Sequence, residues 1–240
     1  MRFIDCHASI GDIPMRYSPL VSPTLENQLS LMRRYGISQA LCSSGFCVNG
    51  DIDYGNEKIS QWAEKNSEIL PVFTAIPESF TPFDSARAVR IYPRDMIFPL
   101  SRLHMCNICA SAGDKHLPIL LSLSQTDIRE LITLLSDFSE VSFIITEIYY
   151  RNIRNLLPLL ESCKNLFLET SFLKTAGALE FISGNFGAER LVFGTGSPYY
   201  DAGSAIAMLL GAEITQNEKE MIAHKNVESL CRLEAPEYDD

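Results

Sequence analysis

Histidine is scarce in this chain, with four in 240 residues. Only His7 falls where a predicted strand gives out, so strand-end imidazoles alone do not assemble the three or more converging ligands of a catalytic zinc site. Positive charge is also short: 20 Lys and Arg against 30 Asp and Glu leave a formal charge of -10. That balance excludes nucleic acid and anionic membrane as main partners, because both would repel the chain. No apolar run approaches the roughly 18 residues of a membrane helix. A basic and then apolar leader is missing from the start, and seven scattered cysteines are no disulfide framework, so a reduced, cytoplasmic protein is expected. The partner expected is a small molecule or another protein, including a second copy in a homo-oligomer.

What is present is a globular composition, 46% apolar and 21% charged. A length of 240 residues exceeds an ordinary domain but suits a single α/β barrel. Apolar runs alternate with helical patterns along the chain. Strands are predicted at 2–9, 38–44, 69–76, 88–92, 117–123, 141–148, 165–171 and 190–196. Between them helices are predicted, the first from Pro23, with Ser22 as its cap, to Gly36, and the others over 56–66, 101–112, 127–138, 152–163, 175–186 and 203–210. The third connection, Pro77 to Ser85, holds Pro77 and Pro82 and is too broken for a full helix. Eight such units, with strands apolar on both faces, predict a parallel sheet closed into a (β/α)8 TIM barrel with a shortened or missing helix between strands 3 and 4. A last helix over 217–233 opens with Thr215 and Glu218 at capping-box spacing. One barrel domain is expected over 1–233, followed by an acidic, disordered tail over 234–240.

Barrel chemistry sits at the C-terminal ends of the strands, and those ends supply the candidates. At the first end Phe3, Asp5, His7 and Ser9 share a face by the period of two. Ser44 ends the second strand, sharing a face with Ala40 and Cys42. Arg90 and Tyr92 end the fourth, Ser122 and Ser124 the fifth, Glu147 the sixth, Glu169, Thr170 and Ser171 the seventh, and Thr195 to Ser197 follow the eighth. His7, Glu147, Arg90 and Tyr92 are the expected catalytic set, with Glu147 or His7 as acid or base and Arg90 holding a carboxylate or phosphate. Asp5, Ser9, Ser44, Ser122, Ser171, Thr195 and Ser197 are the expected substrate contacts. Glu147 in an apolar strand calls for a cation beside it, Arg90 or His7. Cys106 and Cys109 read as buried helical thiols rather than a zinc knuckle, since no second ligand pair accompanies them. Gly194 to Ser197 reads as a tight turn, with an anion cradle as its rival.

The segments IDCHASIG (4–11), LPILLS (117–122), NLFLETS (165–171), ERLVFGTGSP (189–198) and the closing HKNVESLCRL (224–233) together resemble the amidohydrolase-related metal-dependent hydrolases, a family of TIM barrels that includes decarboxylases. In the closing helix, Asn226 takes the place of the family's Asn. The resemblance implies metal ligands at five positions, and His7 alone keeps its type. Ser9 stands for the second histidine of His-x-His, Ser122 for the histidine ending the fifth strand, Glu147 or Thr146 for that of the sixth, and Gly196 for the catalytic aspartate. No tight metal and no cofactor are therefore expected; a weak divalent ion at His7, Asp5 and Glu147 is the remaining metal option. Three functions follow: a hydrolase or related lyase with a rearranged or metal-free site, a catalytically inactive barrel that binds a small ligand or protein, and a full metal hydrolase that draws ligands from loops.

Overall fold

A computed structural model describes residues 1–11, 19–48, 50–78 and 82–233. The expected tail at 234–240, and parts of the loops after the first and third strands, lie outside the described residues. The strands are β1 (Phe3–Ile10), β2 (Ile37–Ser44), β3 (Ile69–Thr74), β4 (Ala88–Ile91), β5 (Ile119–Ser122), β6 (Phe143–Thr146), β7 (Leu166–Glu169) and β8 (Leu191–Val192). All pair in parallel in sequence order. The segment after β8 returns to β1, where the Cys6 amide donates to the Phe193 carbonyl at 2.9 Å and the Ser9 amide to the Ser197 carbonyl at 2.9 Å. The result is the (β/α)8 barrel.

Seven helices flank it: α1 (Leu25–Tyr35), α3 (Ile52–Lys65) after a short α2 (Gly45–Val48), α4 (Arg102–Asp114), α5 (Ile128–Asp137), α6 (Ile153–Ser162), α7 (Ala178–Phe186) and α8 (Ala202–Gly211). Among the described residues none lies between β3 and β4. The helix ends follow local chemistry. Asp127 accepts from the amides of Arg129 and Glu130 at the start of α5, and Gly36 closes α1 in the left-handed conformation that costs glycine nothing. The cap of α1 is Thr24 rather than Ser22, because its hydroxyl is the one that reaches the Asn27 amide. Helix α3 starts four residues earlier than its apolar spacing suggests, since Asp51 caps it. The expected last helix carries the Thr215–Glu218 capping box, then passes from α9 (Gln216–Glu220) through a π turn at Met221–Lys225 into α10 (Asn226–Cys231). No helix among the described residues is long and apolar enough to cross a membrane.

Two apolar layers result from the period of two. Val89, Ile91, Ile119, Leu121, Phe143 and Ile145 face the helices. Ala88, Leu120 and Ile144 on the same strands face inward with Ile4, Cys6, Leu41, Leu70, Val72 and Val192, against Val227 and Cys231 of α10. Burial of each large aliphatic side chain contributes about 1.5–3 kcal/mol. In α4, Cys109 is buried as expected, but Cys106 is exposed.

Candidate functional site

The next inward positions after Ala88, Leu120 and Ile144 are Arg90, Ser122 and Thr146, and there the barrel interior turns from apolar to polar. The Ser122 and Thr146 hydroxyls lie 2.9 Å apart, and Arg90 Nη2 donates to Ser122 Oγ at 3.2 Å. The same Nη2 lies 3.1 Å from His7 Nε2. A guanidinium only donates, so Nε2 is the acceptor and the imidazole proton sits on Nδ1. Nδ1 in turn donates to Glu169 Oε2 at 3.0 Å. His7 is therefore a neutral bridge between a buried cation and a buried carboxylate.

Glu169 is fully buried and takes two further bonds, from the Ser171 amide and, at 2.8 Å, the Ser171 hydroxyl. It fits there because residue 194 is glycine: a Cβ on Gly194 would lie 2.5 Å from Glu169 Oε1. A second chain of hydroxyls runs from Ser9 to Ser43 at 3.3 Å and on to Tyr92 at 3.5 Å. Burial pushes the Tyr92 phenol up from its ordinary value against the pull of Arg90, whose guanidinium carbon lies 5.2 Å from the Tyr92 ring centre. A cavity of about 30 Å³ remains among His7, Ser9, Arg90, Tyr92, Ser122, Ser124, Glu147, Tyr199 and Tyr200, room for one or two waters.

Residues 84–233, more than half of the chain, match the family model described as Amidohydrolase. The chain belongs to that family. Its fold is similar to an uncharacterised TIM-barrel protein of Bordetella bronchiseptica (17% identity, TM-score 0.74, covering 97% of this chain and 99% of that one). It is also similar to 5-carboxyvanillate decarboxylase of Sphingomonas paucimobilis (11%, 0.71, 96% and 99%) and to amidohydrolase 2 of Bifidobacterium longum subsp. infantis (16%, 0.70, 97% and 99%). No curated protein matches the sequence.

Against that amidohydrolase background the sequence candidates separate. His7, Ser9, Arg90, Tyr92, Ser122 and Glu147 line the cavity. Asp5 does not: the pairing register of β1 shifts between Asp5 and Ala8, so Phe3 packs toward the helices, Ile4 and Cys6 point inward, and the inward set resumes at His7 and Ser9. Asp5 instead anchors the turn after β8, accepting from the His7 amide and from the Thr195 amide and hydroxyl. Burial raises its carboxyl above the usual range despite those bonds. Thr195 and Ser197 are spent in the same turn, Ser197 Oγ donating to Gln28 Oε1 at 3.1 Å. Ser171 supports Glu169 from outside the cavity. Ser44 follows Ala40 and Cys42 on the outer face of β2, and its hydroxyl is buried without a partner; its neighbour Ser43 makes the mouth contacts.

Glu147 lies just past β6 with a left-handed φ of 57° and accepts from Ser124 Oγ at 2.7 Å. The expected ion pair with Arg90 or His7 does not form, because those two are bonded to each other. The inward position on β6 is Thr146. Glu169, a strand-end candidate left out of the expected catalytic set, is the carboxylate that His7 reaches: an acidic residue at the end of an apolar strand needs a partner as much as Glu147 does. Among the described residues, no group of three or more His, Cys, Asp or Glu side chains converges as a metal would require.

Proposed function

We propose that this amidohydrolase-family barrel binds a small molecule at its C-terminal mouth without a resident metal, and that it is a binding protein rather than a metal hydrolase. The bond from Arg90 Nη2 to His7 Nε2 carries this reading. It uses the nitrogen that a metal would need and sets a permanent cation 3.1 Å from it. The other positions that the family gives to metal ligands support the same conclusion. Ser9 and Ser122 offer neutral hydroxyls, which are poor zinc ligands. At Gly196, with φ 69°, a Cβ would lie 2.7 Å from the Tyr200 ring, so the ring occupies the space of an aspartate. The metal does not fit these residues.

Elemental analysis of protein purified without chelator tests the proposal. The expected result is well under one zinc per chain, unchanged in His7→Ala. Near one equivalent, lost in His7→Ala, would overturn it.

A second reading, residual hydrolase or lyase chemistry, draws on Glu147. Left-handed backbone at a non-glycine residue costs about 1–2 kcal/mol, and such strain gathers at functional positions. In this reading Glu147 is the base, Tyr92, kept protonated by burial, the acid, and Arg90 the holder of a substrate carboxylate.

A further inference from the structure

Among the described residues, two groups at the mouth are incompletely matched. Arg90 is 3% exposed, and its Nε is buried with no hydrogen-bond partner. Glu147 is 8% exposed and, among the described residues, accepts the Ser124 hydroxyl and makes no ion pair. Both line the same cavity. A buried polar atom of either sign left without a partner is unfavourable, and native structures supply one from protein, water or ligand.

The signs of the neighbouring charges decide what the ligand is. Glu169 balances Arg90 through the neutral His7, which leaves Glu147 as the uncompensated charge. A simple anion drawn to Arg90 would meet the carboxylate of Glu147. A simple cation drawn to Glu147 would meet the guanidinium of Arg90. A molecule that carries both charges satisfies each without adding net charge.

We infer that the mouth takes a small zwitterion, an α-amino acid at the smallest end of the class, with its ammonium on Glu147 and its carboxylate on Arg90. This rests on the metal-free reading of the site. Because about 30 Å³ holds only one or two waters, entry displaces them and moves the Tyr200 ring, which is half-buried at the rim and packs edge-on to Phe172 at 4.3 Å. The left-handed backbone at Glu147 is then the conformation that turns its carboxylate to the cavity instead of to solvent.

Calorimetric titration of the full chain with glycine, acetate and methylamine tests the inference. Glycine is expected to bind about tenfold or more tightly than either half-ligand. Glu147→Gln is expected to remove that advantage, weakening glycine while strengthening acetate, which no longer meets a carboxylate; it lies past the strand end and touches none of the His7, Arg90 and Glu169 bonds. Should it not fold, Ser124→Ala, which removes the hydroxyl that donates to Glu147, carries the same expectation at smaller size. Arg90→Lys, which keeps the charge, is expected to weaken glycine and acetate together. Glycine and acetate binding alike, both indifferent to Glu147→Gln, would overturn the zwitterion and leave the metal-free site standing. Binding of none of the three overturns the inference as well. Stoichiometric zinc in the same preparation would overturn the metal-free reading instead.

Discussion

Ala88, Leu120 and Ile144 form part of the apolar floor inside the barrel, and two residues further along the same three strands stand Arg90, Ser122 and Thr146. The floor is held by area removed from water, and each side chain contributes whether or not its neighbour is changed. The mouth above it is held by partners. Arg90 is tolerated there because Glu169 answers its charge through His7, and removal of any one member leaves the others buried and unmatched. The same backbone spacing thus yields a layer whose energies add and a layer whose energies are conditional.

The largest expected effect breaks the conditional layer. Glu169→Gln removes the carboxylate that compensates Arg90 and is expected to destabilise by about 3–5 kcal/mol in urea unfolding at neutral pH. The double change Glu169→Gln with Arg90→Met removes both charges and is expected to recover most of that loss, a large non-additive coupling. Two single costs that simply sum would show that the mouth behaves like the floor.

Next in size is Ile144→Ala in the floor, which deletes buried apolar volume and is expected to cost about 2–4 kcal/mol. Unlike the Glu169 change, this loss should be the same at 50 and 500 mM salt, since no charge is involved. A marked salt dependence would mean that the floor and the mouth are energetically one unit.

The two layers also differ in how far the sequence reveals them. Apolar runs such as LPILLS and FIIT locate β5 and β6 and their alternation without further information, and capping residues such as Asp127 locate helix starts. Partnerships across the mouth depend on parity, and parity was lost where the chain departs from regular pairing. The shift in β1 put His7 inward with Cys6 rather than with Asp5, and in β2 the inward parity of Leu41 leads to Ser43, not Ser44, at the mouth. Nothing local to residue 169 says that its partner is residue 7, at the other end of the chain. The family motifs led to His7, Ser9, Ser122 and Gly196, which all line the same cavity, because motif matching fixes position even where local periodicity fails.

The smallest effect is absent at neutral pH and separates the layers by where it begins. Cys231, in the floor, has its thiol pushed by burial from 9.0 to about 12. Tyr92, in the mouth, has its phenol raised from 10.0, burial again being the main cause, with Arg90 and Ser43 opposing it. For both groups the folded state holds the proton more tightly than the unfolded chain does. Stability is therefore complete below the unfolded value and falls as pH rises toward the folded one, by about 1.4 kcal/mol per pH unit for each group in its window. Cys231 enters that window near pH 9 and Tyr92 only near pH 10. Between pH 9 and 10, Cys231→Ala is expected to lose stability less steeply than the parent by about one proton's worth, while Tyr92→Phe follows the parent and departs from it only at higher pH. Urea midpoints at half-unit intervals from pH 8 to 11 read this directly. If Tyr92→Phe instead declines more steeply than the parent, the folded phenol ionises more readily than the unfolded one, and the mouth is more open to water than its few exposed atoms imply.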